Sequence, residues 1–434
     1  MKSAAIKTSA MKFSLKLLPL FVLLASTEAS ATDGYFAHGY GVKSQGMGGV
    51  GIALPQDALA AATNPAGMGL IGDRIDLGAT WFRPIRESEI SGNLGGSSVN
   101  GTYDANESKN FIIPEFGYNR QINPDVTLGV SVYGNGGMNT DYNRRVPLLS
   151  SLPSGTPAGI DLIQLFVAPT VTWKLTPSNT IGVSLNLAYQ RFAAKGLENF
   201  ASPASTSSDN VTNKGHDNSY GAGLHIGWIG QVNDFVTLGA TYQTKTYMSK
   251  FDKYKGLFAE GGDFDIPETY GVGIAVKATP QLTVAADVQR INYSDVASVG
   301  NMSLSNLGNG LGANNGAGFG WRDVTAIKLG ASYVWNEQLT LRAGYNHSTQ
   351  PIRSGETLFN ILAPGVVQDH LTLGTTWVLE NKAELSLAYM HAFENSVNGS
   401  GSVPPGSPPS GFGGGEANLK MYQDSLGVAY GWKL

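Results

Sequence analysis

Six histidines, at positions 38, 216, 225, 347, 370 and 391, are the natural first candidates for chemistry, because imidazole is both the commonest metal ligand and a general base. None belongs to a His-Glu-x-x-His arrangement and none is closely paired, so ordinary rim or lumen positions are the expectation for them. Cysteine is absent, which removes disulfide frameworks, Cys zinc sites and thiol nucleophiles together. No Gly-x-Ser-x-Gly elbow occurs. Gly46-x-Gly48-x-x-Gly51 has the spacing of a dinucleotide fingerprint, yet no apolar strand precedes it. Close packing of small residues is the expectation there. The sequence therefore points away from an enzyme, with no cofactor and no metal expected.

Composition narrows the class. Only 14% of the 434 residues are charged, against about 25% in an ordinary soluble domain. Glycine is heavy, at 56 residues, and the formal charge of −4 offers no basic face to nucleic acid. Mean hydropathy is −0.09, and beyond residue 31 no apolar run approaches the ~20 residues that a spanning helix needs. These properties together describe a β protein able to live in lipid.

The first residues read as an address. Lys12 and Lys16 precede the apolar run Leu17-Leu-Pro-Leu-Phe-Val-Leu-Leu-Ala25, followed by Ala29-Ser30-Ala31. This is the order of a secretory signal peptide over residues 1–31, with Met1 or Met11 as start. Cleavage would remove Lys2, Lys7, Lys12, Lys16 and Glu28, taking the net charge from −4 to −7.

From about residue 74 onward, runs alternating in polarity repeat. Leu371, Leu373, Thr375 and Trp377 alternate with Thr372, Gly374 and Thr376; Leu426, Val428, Tyr430, Trp432 and Leu434 alternate with Gly427, Ala429, Gly431 and Lys433. The breaks alternate too. Six are tight, among them Asn123-Pro124-Asp125, Asn233-Asp234 and Asn336-Glu337. Seven are long: about 87–108, 138–160, 198–214, 251–262, 297–320, 351–366 and 400–416. Short turns at one end and long loops at the other predict an all-β transmembrane fold, a 14-stranded antiparallel outer-membrane β-barrel spanning 74–434. Both termini then fall at the periplasmic end. The strands exceed the ~9–11 residues needed to cross, so the wall is expected to project beyond the outer surface. A secreted sandwich would not explain one apolar face in nearly every strand, nor strand ends marked by Trp81, Trp173, Trp335 and Trp377, which suit an interfacial girdle.

Residues 32–73 do not alternate and are small and Gly/Ala-rich. A barrel of this size is too wide for its own side chains to fill, so a small N-terminal helical hatch inside the lumen is expected. Asn64-Pro65-Ala66 reads as a helix start, with Asn as N-cap and Pro in the first turn.

These residues resemble the FadL/TodX outer-membrane transporters of long-chain fatty acids and aromatic hydrocarbons over nearly the whole mature length. Asn64-Pro65-Ala66 is similar to that family's hatch motif, and Gly134-Asn135-Gly136-Gly137 sits where the family kinks its third strand. Ile266-Pro267-Glu268, Arg342-Ala343-Gly344 and Tyr389-Met390-His391 are similar in order and spacing. The resemblance implies hatch gating by Asn64, Pro65 and Ala66 and lateral release through a kink at Gly134, Asn135, Gly136 and Gly137. It also implies Arg191 as a partner for a ligand carboxylate, a solvated rim arginine being the alternative reading of that position. The second cation of the family meets the neutral run Asn314-Asn315-Gly316-Ala317-Gly318, with Arg322 the nearest base, which favours neutral hydrophobes. Expected partners are a hydrophobic small molecule, outer-membrane lipid and lipopolysaccharide, and the barrel-assembly machinery. The protein is expected to be a monomer in the outer membrane of a Gram-negative bacterium. A structural or adhesive surface barrel and a general porin are the alternatives.

Overall fold

A computed structural model describes residues 33–152, 155–407 and 411–434. The signal segment and the choice of start codon lie outside the described residues. Fourteen long strands form one antiparallel meander: β1 (Arg74–Ser91), β2 (Phe111–Gln121), β3 (Val126–Asp141), β4 (Gly159–Thr176), β5 (Asn179–Lys195), β6 (Asp217–Gln231) and β7 (Val236–Gln243). They continue as β8 (Thr269–Lys277), β9 (Leu282–Ile291), β10 (Val324–Val334), β11 (Leu339–Ser348), β12 (Asp369–Val378), β13 (Glu384–Val397) and β14 (Glu416–Lys433). Two short strands, Gly101–Asp104 and Tyr247–Met248, pair back onto β1 and β6. The sheet closes on itself through β1 and β14, in register from Arg74 opposite Lys433 to Ser91 opposite Glu416. Joining the first strand to the last leaves the sheet no terminal edge to be satisfied by a medium that offers no hydrogen bonds.

The barrel is inside out relative to a soluble protein. Leu371 and Leu373 are about half exposed, whereas His370 and Thr372, which alternate with them, are fully buried. On β14, Leu426, Val428 and Tyr430 face outward and Gln423 and Ser425 inward. An apolar outer belt with a polar, filled interior is the solution that lipid imposes on a two-faced strand.

Asparagine builds three of the tight turns in the same way. The Oδ1 atoms of Asn123, Asn233 and Asn336 each accept from the backbone amides two and three residues on, at 2.8–2.9 Å. At the other end the wall is uneven. Strands β14, β1 and β4 are 18 residues long, and β5 is 17. By contrast β7, β8 and β9 have only 8, 9 and 10, close to the minimum needed to cross. The expected projection of the wall is thus confined to one side. On the low side the connections 244–268, 292–323 and 349–368 turn inward as short helical turns over the lumen, contributing buried Phe258, Phe264, Trp321 and Leu358 to an apolar core.

Candidate functional site

Residues 33–72 occupy the lumen, but with little helix. They hold one four-residue α-helix, Val42–Gln45, and 3-10 turns at Ala60–Ala62 and Pro65–Leu70; the remainder is irregular. An irregular plug needs partners for its backbone amides, and wall carboxylates supply them. Glu115 accepts from Gly41 and Val42, at 3.1 Å each. Asp287 accepts from Gly51 and Ile52, at 2.7 and 3.0 Å, and Asp76 from Ala58 at 2.9 Å. Near the periplasmic end, Lys43 of the hatch pairs with Glu384 at 2.5 Å, and Glu384 with Arg74 at 2.9 Å.

Close approach of hatch and wall is made possible by inward-facing strand glycines. A Cβ on Gly227 would stand 1.8 Å from Asn64 Oδ1, and one on Gly182 2.4 Å from the Ala66 nitrogen. One on Gly344 would stand 2.1 Å from the Met47 backbone. Asn64, Pro65 and Ala66 are therefore seated directly on β5 and β6. Asn64 caps the Pro65 turn by accepting from the Ala66 amide at 3.1 Å, and its Nδ2 donates to the carbonyls of Ile52 (2.7 Å) and Trp228 (3.1 Å). One buried amide thus ties a turn of the hatch, a second hatch segment and the wall.

The β2–β3 seam is incomplete. Pairing runs from Gln121 opposite Thr127 to Phe116 opposite Val132 and ends there, although β3 continues to Asp141 and β2 back to Phe111. Just above that point the β3–β4 register slips between Gly134 and Gly136, leaving Asn135 as an extra residue. The vacant edge of β3 is taken by the hatch. Phe36 bridges Gly136, Gly137 N donates to Tyr35 O at 3.0 Å, and Ala37 N donates to Asn135 O at 3.1 Å. Gly136 is required by contact rather than by dihedral, since a Cβ there would stand 1.9 Å from the Tyr35 oxygen. Gly134, Asn135, Gly136 and Gly137 are thus brought to a gap in the wall that the chain's own residues 35–37 stopper from within.

Under the outer loops lies a small cavity of about 40 Å³, lined by Ile160, Phe192, Phe258, Leu311, Phe319 and Leu362 among others. Aromatic rings continue from it to the stopper: Phe258 lies 4.8 Å from Phe264, Phe264 6.1 Å from Tyr35, and Tyr35 5.4 Å from Phe36. Trp321 joins the same cluster, 5.8 Å from Tyr35.

Arg191 is not in this cavity. On β5 the side chains of Gln190, Phe192 and Ala194 turn inward, so Arg191 lies on the outer face, where its guanidinium pairs with Asp161 at 3.3 Å. The expected role as a carboxylate partner inside a pocket is corrected accordingly: strand parity assigns the position to the rim. Arg322 is likewise exposed on the outside of the wall. The ring path and the stoppered seam were not anticipated from sequence. Tyr35-Phe36, isolated aromatics at the start of a small-residue segment, were the only local signal.

A closed barrel, apolar outside and polar inside, with an internal plug and an aromatic cavity beneath long loops, is an outer-membrane channel. The chain belongs to the outer membrane protein transport family (OMPP1/FadL/TodX), whose model matches residues 22–403. It is similar along 98% of its length to an outer membrane protein of Neisseria meningitidis serogroup B, at 22% identity over 467 aligned residues and 99% of that protein. Among solved structures it resembles the Pseudomonas putida toluene transporter TodX (18% identity, TM-score 0.68) and a Pseudomonas aeruginosa FadL homologue (16% identity, TM-score 0.68). In each case 92% of this chain and 99% of the other is covered. The protein is thus an outer-membrane transport protein, in a transporter family rather than an enzyme family.

Proposed function

We propose that the protein takes up neutral hydrophobic molecules of the aromatic-hydrocarbon class and releases them sideways into the membrane through the β2–β3 seam. The observation that carries this reading is the end of β2–β3 pairing at Val132, together with its replacement by residues 35–37 of the hatch. A side exit spares an apolar solute a watery lumen, where its surface would cost about 25 cal/mol per Å². The aromatic path from Phe258 to Phe36 leads from the loop cavity to that seam. Neutral cargo is favoured because Ser298 is the only polar side chain lining the cavity among the described residues. On this reading Asn64, Pro65 and Ala66 anchor the hatch while its first residues move. The solved structure of TodX is described as that of a toluene transporter, which agrees with this substrate class.

The test is uptake of labelled toluene and of labelled oleate by cells producing the wild type and two tryptophan variants. Ile113 lines the space beside the seam, whereas Ile112 faces outward. Toluene uptake is expected to fall about tenfold in Ile113→Trp and to persist in Ile112→Trp, an indole in the exit being a full steric barrier. Unchanged uptake in Ile113→Trp rejects the lateral exit. Faster uptake of oleate than of toluene rejects the neutral cargo.

A further inference from the structure

Two features of the outer wall are unexplained by transport, and they lie one above the other on the same strands. The lower is a shallow apolar groove of about 480 Å³ across β8–β12. It exists because outward Ala286, Ala331 and Ala343 stand among larger neighbours Leu329 and Leu371, while Gly330 and Gly344, paired across β10 and β11, thin the wall behind them. The upper is an open recess of about 620 Å³ at the loop ends of β9–β12, lined by Arg290, Arg322 and Arg353 with Ser294, Thr349 and Gln350.

Register shows how the two are stacked. Val288 lies opposite Ile327, both nearly half exposed, and two residues further up Arg290 lies opposite Thr325. Two residues of strand advance the chain by roughly 6.8 Å, so the apolar belt gives way to guanidinium within one rung. A step from apolar to cationic side chains over so short a height matches the boundary between acyl chains and headgroups.

The recess carries a surplus of positive charge. Its single carboxylate, Asp323, is already engaged by Arg290 at 2.8 Å and by the Ser294 amide and hydroxyl at 2.9 and 2.6 Å. Asp369, at the loop end of β12, is taken up by the Tyr345 hydroxyl and by His347 at 2.7 Å. Arg353 donates to the Gly320 carbonyl at 2.5 Å. The Arg322 side chain is exposed and has no hydrogen-bond or ion-pair partner among the described residues. Guanidinium forks in this setting suit phosphate oxygens, which they bind bidentately.

We propose that the outer face of β9–β12 binds one phosphorylated glycolipid of the outer leaflet. A phosphate sits among Arg290, Arg322 and Arg353, and one acyl chain lies in the groove over Ala286, Ala331 and Ala343. Charge complementarity selects the headgroup, and the groove directly beneath it selects a lipid over a free anion. The site is separate from the β2–β3 seam and does not depend on the transport reading.

The test is native mass spectrometry of the full chain after exchange into phosphatidylcholine nanodiscs doped with one of three lipids. These are diphosphorylated lipid A, its dephosphorylated form, and phosphatidylglycerol at matched charge. Lipid A is expected to be retained about tenfold more than either of the others, and the Arg322→Gln/Arg353→Gln double variant to lose that preference. Ala343→Phe, which fills the groove without touching the arginines, is expected to weaken lipid A alone. Retention of heat-shifted electrophoretic mobility checks that each variant is folded. Equal retention of dephosphorylated lipid A, or an unchanged double variant, overturns the phosphate site. Equal retention of phosphatidylglycerol overturns the glycolipid, and saturation by inorganic phosphate with no dependence on the groove overturns the lipid.

Discussion

Phe36 and Gly136 are antiparallel partners a hundred residues apart in sequence, and their bridge lies where β2 has stopped pairing with β3. A segment of the plug is therefore a surrogate strand in the wall. It closes the seam that β2 and β3 leave incomplete.

Gly136→Val is expected to expel the surrogate strand. Its Cβ would stand 1.9 Å from the Tyr35 oxygen, a clash of the kind that costs about 1–3 kcal/mol. Amide exchange at Ala37 and Gly137 should accelerate roughly tenfold or more, since ~1.4 kcal/mol is tenfold in an opening equilibrium. Exchange in β10 and β11 should be unaffected. Unaltered protection at Ala37 would show that the strand tolerates the side chain and that the pairing is not tightly held.

Asn64→Ala is expected to loosen the hatch and spare the barrel. The change removes the cap on the Pro65 turn, worth ~1 kcal/mol, and strips the Ile52 and Trp228 carbonyls of a buried donor, at about 1–3 kcal/mol. Asn64→Asp keeps the cap and loses the donor, so it should fall between. Limited proteolysis within residues 58–70, and single-channel conductance, report the order wild type, Asp, Ala. A hatch equally resistant in all three would assign the anchoring to the wall carboxylates Glu115 and Asp287 instead.

Asp263, in the loop between β7 and β8, makes loop stability depend on pH. Burial, and then the neighbouring Asp265 and Glu260 carboxylates, push its carboxyl from 3.8 up to about 6. A carboxyl whose pKa rises on folding leaves stability intact while it is protonated in both states; stability is lost as pH climbs from the unfolded value towards the folded one. The loop should therefore open more readily above about pH 6 than below about pH 4. Amide exchange at Phe264, corrected for its intrinsic pH dependence, measures this, and Asp263→Asn should flatten the profile. A profile already flat in the wild type would place the carboxyl in water.

Much of the wall was legible because a strand's two faces are read from residues next to each other. Leu371 and Leu373 against Thr372 gives the lipid side without knowledge of any neighbour. The same parity places Arg191 with outward Leu185 and Leu187 rather than with Phe192, which decides for the rim between the two readings that position allowed. The glycines divide less simply than composition suggested. Besides the hatch, the β3 bulge and the outer loops, Gly182, Gly227 and Gly344 occupy inward strand positions where the hatch leaves no room for a Cβ. Nothing local marks such a glycine, since its reason lies more than a hundred residues away.

The sequence by itself determined the strand number, the two kinds of connection and the face each strand offers to lipid. All three follow from periodicity and turn chemistry over a few residues. The stoppering of the β2–β3 seam by residues 35–37, the ring path from Phe258 to Phe36 and the gathering of Arg290, Arg322 and Arg353 above an apolar groove were decided only by tertiary structure. Each depends on which distant segments a closed barrel brings to the same height, and closure is a property of all fourteen strands together.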